Sequence, residues 1–174
     1  LPFGAGCVST QGGCAVRCRF CAPGLFGVAR HLAVDEIVEQ VVHARRHMRI
    51  DRIVYMGMGE PSHNLDNVMA AVARIHDEAL ISPKRQTFST VGGVKPLTRM
   101  REFAVKPCLA LSLHSANEQK RRELLPRAHK DPLPEIVAAA DAYAQDVGTP
   151  IQFEWTMLEG VNDSDQDVDE LCAL

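Results

Sequence analysis

Cys14, Cys18 and Cys21 stand in the pattern C-x3-C-x2-C, and Cys7 precedes them, so four of the six cysteines fall within fifteen residues. Thiolates at this spacing on one loop can converge on a metal centre. Three thiolates on a four-iron cluster leave one iron open for a further ligand, which an electron-carrying ferredoxin does not need. A structural zinc wants a fourth ligand, and Cys7 could supply it, although its offset from Cys14 is unusual for a zinc knuckle. Taken alone, Cys7 also reads as a small buried strand residue. Cys108 and Cys172 read as packing residues.

Four further clusters carry polar groups: Met-Gly-Met-Gly-Glu-Pro at 56–61, Ser-Thr-Val-Gly-Gly at 89–93, Ser-Leu-His-Ser at 112–115 and Leu-Glu-Gly-Val-Asn-Asp at 158–163. Each is weak by itself. Gly57 and Gly59 can permit a tight turn, Asn162 and Asp163 can cap a helix, and His114 can be a satisfied core histidine. Each cluster nevertheless ends an apolar run, and the carboxyl ends of parallel strands are where α/β folds bind ligands.

The elements that must position these residues alternate between strand and helix, which predicts a parallel α/β fold. Strands are expected at 5–11, in the apolar run DRIVYMGMGEP, and at 85–90, 106–115 and 151–158. Helices are expected at 34–49, 65–79 and 96–103, in a region broken by prolines near 126–134, and from Ser164 onward. Cys108, Ala110, Ser112 and His114 share one face of their strand, and Leu109, Leu111 and Leu113 the other. Thr87 and Ser89 oppose Phe88. In 151–157, Ile151, Phe153, Trp155 and Met157 oppose Gln152, Glu154 and Thr156. A large apolar face suits covering helices. A small or polar face suits the lumen of a partial barrel that holds a ligand.

At 174 residues, with 46% hydrophobic and 24% charged residues, the chain fits one globular domain. Its apolar runs are too short to span a bilayer, and no charged-then-apolar leader opens it, which favours the cytosol. In that reducing compartment clustered cysteines bind metal more readily than they pair. Leu1 reads as the start of a fragment. The net charge of −3 gives no whole-chain signature of nucleic-acid binding. The basic runs at 45–49, 84–85 and 120–122 read as solvated faces and turns.

The phrases CVSTQxGC, GMGEP-x3-LDNV, FSTVGGV-x-P, LALSLHS and ML-x-GVND, in this order from Cys7 to Asp163, resemble the radical S-adenosylmethionine (SAM) enzymes. More narrowly, they resemble the RlmN/Cfr family of RNA adenine methyltransferases. The resemblance implies a partial (β/α)6 barrel with about five strands present, forming a core domain over residues 1–174. It implies a [4Fe–4S] cluster on Cys14, Cys18 and Cys21 whose open iron chelates SAM, and reductive cleavage of SAM to a 5′-deoxyadenosyl radical. Gly59 and Glu60 would grip the amino acid end of SAM, with Ser89, Ser112, Leu113, His114 and Asn162 completing the pocket. Cys7 matches a family cysteine that resolves a methyl-bridged intermediate with RNA.

The implied reaction is methylation of an adenine at carbon 2 in 23S rRNA and in tRNA, in the cytoplasm. The implied enzyme is a monomer, has no membrane partner, and takes electrons from a donor such as flavodoxin. Alternatives are a related enzyme acting at carbon 8 or on another substrate, and a non-catalytic metal-bearing RNA-interaction module. The family's N-terminal RNA-binding domain, sixth strand and C-terminal methyl-carrying cysteine find no match here, and Cys172 follows Asn162 too closely to be that cysteine. The chain as given is therefore expected to bind cluster and SAM without completing methyl transfer. Gly12 stands where the family has a larger residue, and Pro23 stiffens the loop after the last ligand.

Overall fold

The computed structural model describes residues 4–174. The chain opens with β1 (Ala5–Cys7) and β2 (Gln11–Gly13), followed by a short helix α1 (Ala22–Leu25), β3 (Val28–His31) and α2 (Val34–Arg45). Then come β4 (Arg52–Tyr55), α3 (Leu65–Ala79), β5 (Gln86–Thr90), α4 (Val94–Met100), β6 (Cys108–Ser112) and α5 (Glu118–Leu124). The last elements are α6 (Leu133–Val147), β7 (Gln152–Glu154) and α7 (Asp165–Cys172). Strands β1, β4, β5, β6 and β7 form one sheet in that order, and every pairing in it is parallel. This is the expected partial barrel.

The two faces of the sheet differ as the alternation of residues requires. Ile53, Phe88, Leu109 and Leu111 point outward into the main core, where Ile37 and Val41 of α2, Val72 and Ile75 of α3, and Ile136 of α6 cover them. On α3 the buried Val68, Val72 and Ile75 recur at helical spacing. The buried Gln86 in this layer is fully satisfied. Gln86 accepts a hydrogen bond from Tyr55 Oη at 2.7 Å and donates to the Val72 and Ile81 carbonyls at 3.1 Å each. A buried amide left unpaired would cost about 1–3 kcal/mol. The inner face carries Ser89, Ser112 and Glu154, which open onto a cavity.

Three expectations are corrected. The strand expected over 5–11 is broken: β1 ends at Cys7, and β2 leaves the sheet to pair antiparallel with β3, with an irregular register at Gly12 and Gly13. This hairpin carries the cysteine loop between its strands. On β7 and beyond, Phe153 is 42% and Met157 75% exposed, so no helix covers that face among the described residues. Cys172 is exposed at the end of α7 and packs no core, whereas Cys108 is buried as expected. No helix among the described residues is long and apolar enough to cross a membrane.

Candidate functional site

A cavity of about 300 Å³ lies at the carboxyl ends of the strands, and Cys14, Cys18 and Cys21 line it together. The loop that carries them is anchored at both ends. Cys14 N–H donates to the Gly27 carbonyl at 2.9 Å, and Arg19 N–H donates to the Leu124 carbonyl at 3.0 Å. Arg17, between the first two cysteines, adopts a left-handed backbone with φ 58°. Beneath the loop a small second core of Val16, Val91, Leu124 and Leu125 receives Cys14, with Cys18 and Phe20 packed against it.

Burial, with the neighbouring Cys14, Cys21 and Glu60 adding to it, pushes the Cys18 thiol up to about 12. Burial likewise raises Cys14, with Glu60 and Cys21 adding to the effect. Cys14 and Cys18 are therefore close enough to repel one another as thiolates, and positive charge in the cavity would favour their ionised forms. Among the described residues no three His, Cys, Asp or Glu side chains converge on a single metal ion. Each thiol of a four-iron cluster ligates its own iron, so a cluster accepts thiols spaced too widely for one ion. The donor set fits a cluster.

Cys7 stands apart. It ends β1, is exposed, and does not line the cavity, so it supplies no fourth thiolate there. Burial of its sulfur raises its thiol, while a hydrogen bond with the Met56 backbone opposes that rise. All six cysteines are free.

The wall facing the cysteines is the turn after β4. Gly59 and Glu60 line the cavity there. Gly59 has φ 111°, and a Cβ on it would meet Thr10 Oγ1 at 2.7 Å and Gln11 N at 2.8 Å. Only glycine lets this turn close on the segment after β1. That closure is fixed by Thr10 N–H and Gln11 N–H, which donate to the Met58 carbonyl at 2.8 and 3.1 Å, and by Glu60 N–H, which donates to Gln11 Oε1 at 2.8 Å. The Glu60 carboxylate is buried and accepts from Ser62 N–H at 3.0 Å, Thr90 Oγ1 at 2.5 Å and Val91 N–H at 3.0 Å. It ties the end of β4 to the end of β5.

Ser89 and Ser112 place their hydroxyls 3.3 Å apart on the inner face, and both line the cavity with His114. His114 has φ 57° and stacks edge-on against Phe20 with ring centroids 4.6 Å apart. Its Nδ1 accepts from Thr156 N–H at 3.1 Å, which assigns the proton of the neutral ring to Nε2. Burial holds this imidazole down to about 4, with the Arg121 charge adding to the effect. It is neutral at physiological pH.

Leu113 and Asn162 do not line the cavity. Leu113 is fully buried on the outer face of β6's end. Asn162 is 1% exposed and binds backbone: its Nδ2 donates to the carbonyls of His114 at 2.7 Å and Thr156 at 2.9 Å, and its Oδ1 accepts from Leu158 N–H at 2.7 Å. Sequence reasoning missed Arg121, which takes no part in the solvated run expected at 120–122. It is buried, and its guanidinium donates to the Val91, Ser112 and Leu113 carbonyls. The apolar Leu124–Leu125 that follows it is the one hint of a buried face.

Residues 8–172 match the family model of the Radical SAM superfamily. The whole chain is 48% identical to a protein of Pseudomonas aeruginosa named "Probable RNA methyltransferase PA1839" and 46% identical to one of Methylibium petroleiphilum named "Probable RNA methyltransferase Mpe_A3613". It covers 50% and 49% of these proteins, so it spans about half the length of the curated relatives it matches. A crystal structure of a radical SAM methyltransferase from Sphaerobacter thermophilus superposes with a TM-score of 0.92 at 39% identity, over 97% of this chain and 52% of that one. The methyltransferase TsrM from Kitasatospora setae, solved with cobalamin and a [4Fe–4S] cluster, shares the fold at a TM-score of 0.62 and 13% identity, over 98% of this chain and 32% of that one.

Proposed function

The chain belongs to the radical SAM superfamily, whose cofactors are a [4Fe–4S] cluster and SAM, and from that premise we propose that it is the SAM-cleaving core of an RNA methyltransferase acting at carbon 2 of adenine. The observation that carries this reading is the meeting of three thiols, the Gly59–Glu60 turn and the Ser89, Ser112 and His114 side chains in one cavity. The names of the relatives, at nearly half identity along the whole chain, support RNA as the substrate.

When bound, the cluster supplies the electron that cleaves SAM to a 5′-deoxyadenosyl radical. Cys14, Cys18 and Cys21, which line the cavity together, would hold it. The Gly59 turn offers bare backbone to the amino acid end of SAM, and the buried Glu60 carboxylate keeps that turn in place. The paired hydroxyls of Ser89 and Ser112 suit the polar groups of SAM, and His114 adds a neutral N–H donor on Nε2. Val16, Phe20 and Val91 form an apolar wall that excludes water from the thiols. Asn162 and Leu113 act through backbone, one by fixing His114 and the other by seating the strand end. Cys7, outside the cavity and accessible, is the thiol that meets the RNA adduct.

Anaerobic reconstitution with iron and sulfide, followed by dithionite and SAM, tests the core. Cluster absorption and release of 5′-deoxyadenosine are expected, and intact SAM in the reduced, reconstituted protein overturns the reading. With this core carried in a chain of the relatives' full length, label transfer from methyl-tritiated SAM into rRNA or tRNA, read after nucleoside digestion, distinguishes 2-methyladenosine from 8-methyladenosine.

A further inference from the structure

Among the described residues Arg121 is a buried cation with no carboxylate bonded to it. It is 5% exposed on α5, although arginine almost always reaches either water or an ion pair. Its neighbours in sequence turn outward to acids, Lys120 to Asp167 at 2.6 Å and Arg122 to Glu118 at 2.5 Å. Arg121 turns inward. Its Nε donates to the Leu113 carbonyl at 3.1 Å, and its Nη2 donates to the Val91 carbonyl at 2.5 Å and the Ser112 carbonyl at 3.2 Å. Among the described residues no carboxylate lies within ion-pair distance of it.

Three carbonyl dipoles solvate a guanidinium but do not neutralise it, and a buried charge is normally compensated by another charge. Glu60 is the other buried charge nearby, and its oxygens are taken by Ser62, Thr90 and Val91. Val91 and Ser112, whose carbonyls hold the guanidinium, line the cavity of the three thiols. Helix α5 is also tied to the cysteine loop through the Arg19-to-Leu124 hydrogen bond, and Arg127 N–H donates to the Val16 carbonyl at 3.2 Å. Burial pulls Arg121 down to about 10, which leaves it charged at neutral pH, and a thiolate on Cys18 is the neighbouring charge that would favour it most, ahead of Glu60 and Glu118.

We infer that Arg121 is the internal counter-charge of the cluster, a positioning residue that raises the cluster's reduction potential from behind the cavity wall. This rests on the cluster reading above. Reduction adds one negative charge to an assembly that already carries three thiolates. A fixed cation in a poorly screened interior stabilises the reduced state more than the oxidised one. The charge matters here, beyond the clamping of two strand ends.

The test is a redox titration of the reconstituted, SAM-free protein, followed by absorbance or EPR, in wild type, Arg121→Lys and Arg121→Gln. Arg121→Met serves as a second neutral variant if Arg121→Gln does not fold. The neutral variants are expected to be about tenfold harder to reduce at a given potential, a downward shift of about 59 mV for a one-electron couple. Arg121→Lys, which keeps the charge, stays close to wild type. Loading the cluster also raises the Tm of wild type more than that of the neutral variants, a difference a mere clamp does not produce. Wild-type potentials in neutral variants that bind a cluster overturn the inference, even where those variants are less stable. Unchanged potentials with weakened SAM binding assign the cation to the SAM carboxylate and likewise overturn it. A wild-type protein that takes up no cluster overturns both this inference and the function proposed above, whereas a cluster with a flat series of potentials overturns the counter-charge alone.

Discussion

Asn162 holds the backbone of His114, its Nδ2 donating to the His114 carbonyl at 2.7 Å across 48 residues of sequence. The same side chain binds the backbone of Thr156 and Leu158, and Thr156 N–H returns to His114 Nδ1. The loop after β7 and the end of β6 thus form one latch, closed on a histidine whose φ of 57° a non-glycine residue rarely holds unaided.

Breaking that latch should cost both stability and ligand affinity. Asn162→Ala leaves the buried His114 carbonyl unpaired, at a cost of about 1–3 kcal/mol, and frees the part-buried Thr156 carbonyl and Leu158 N–H, which water can reach at a smaller cost. Asn162→Asp keeps the acceptor toward Leu158 but loses both donations, so it should be no milder. Chemical denaturation should show the loss, and calorimetry on the reconstituted protein should show weaker SAM binding. Full SAM affinity in a destabilised Asn162→Ala would mean that His114 does not need the latch to serve the cavity.

The cysteines should separate into three and one. Replacing Cys14, Cys18 or Cys21 with Ala should abolish the cluster, measured as iron and sulfide per chain and as visible absorption. Cys7→Ala should retain it, because Cys7 lies outside the cavity. Cluster loss in Cys7→Ala would revive a four-thiolate centre.

Much of this arrangement is legible in the residues, and the failures have physical reasons. The alternation of Leu109, Leu111 and Leu113 with Ala110, Ser112 and His114 distinguishes outer from inner face because side chains in a strand have period two. The same alternation around Phe153 misleads, since period says that a face is apolar but not whether any element covers it. The hairpin of β2 and β3 escapes notice because Val28–His31 is exposed throughout and carries no alternating signal. Its pairing is decided by tertiary contacts. Arg121 hides between two outward-facing bases, and charge patterning cannot show that one of three turns inward. The ends of β4 and β5 could be placed in advance because each apolar run there closes on glycine, whereas β1 and β7 stop at Cys7 and Glu154, short of the ends expected at 11 and 158.

Gly59→Ala should be costly and Gly160→Ala mild. A Cβ at Gly59 meets Thr10 Oγ1 at 2.7 Å and Gln11 Cβ and N at 2.8 Å, and the backbone sits at φ 111°. Strain of this kind costs about 1–3 kcal/mol, more if the turn must shift. Gly160 has φ 69° and nothing within 4 Å of a new Cβ, so its substitution bears only the left-handed penalty of about 1–2 kcal/mol. Thermal denaturation should rank the two variants in that order. SAM binding should fall in Gly59→Ala alone, because only that turn lines the cavity.

His114 should make the metal-free protein less stable as the pH falls from about 6.5 toward about 4. Burial is the main cause of its depressed value of about 4, against 6.5 for the free side chain. Above 6.5 the ring is neutral whether folded or unfolded and contributes no pH dependence. Between the two values the unfolded chain binds a proton that the folded chain refuses, so the free energy of unfolding falls with decreasing pH and levels off below the folded value. The full drop amounts to about 3 kcal/mol at about 1.4 kcal/mol per pH unit. His114→Asn isolates this contribution, since asparagine tolerates the left-handed backbone and its Oδ1 can accept from Thr156 N–H in place of Nδ1. Denaturation of both proteins across this pH range should show a gap that favours wild type near neutrality and narrows toward pH 4. A constant gap would mean that the imbalance in proton uptake lies elsewhere and that the folded protein protonates His114 as readily as the unfolded chain does.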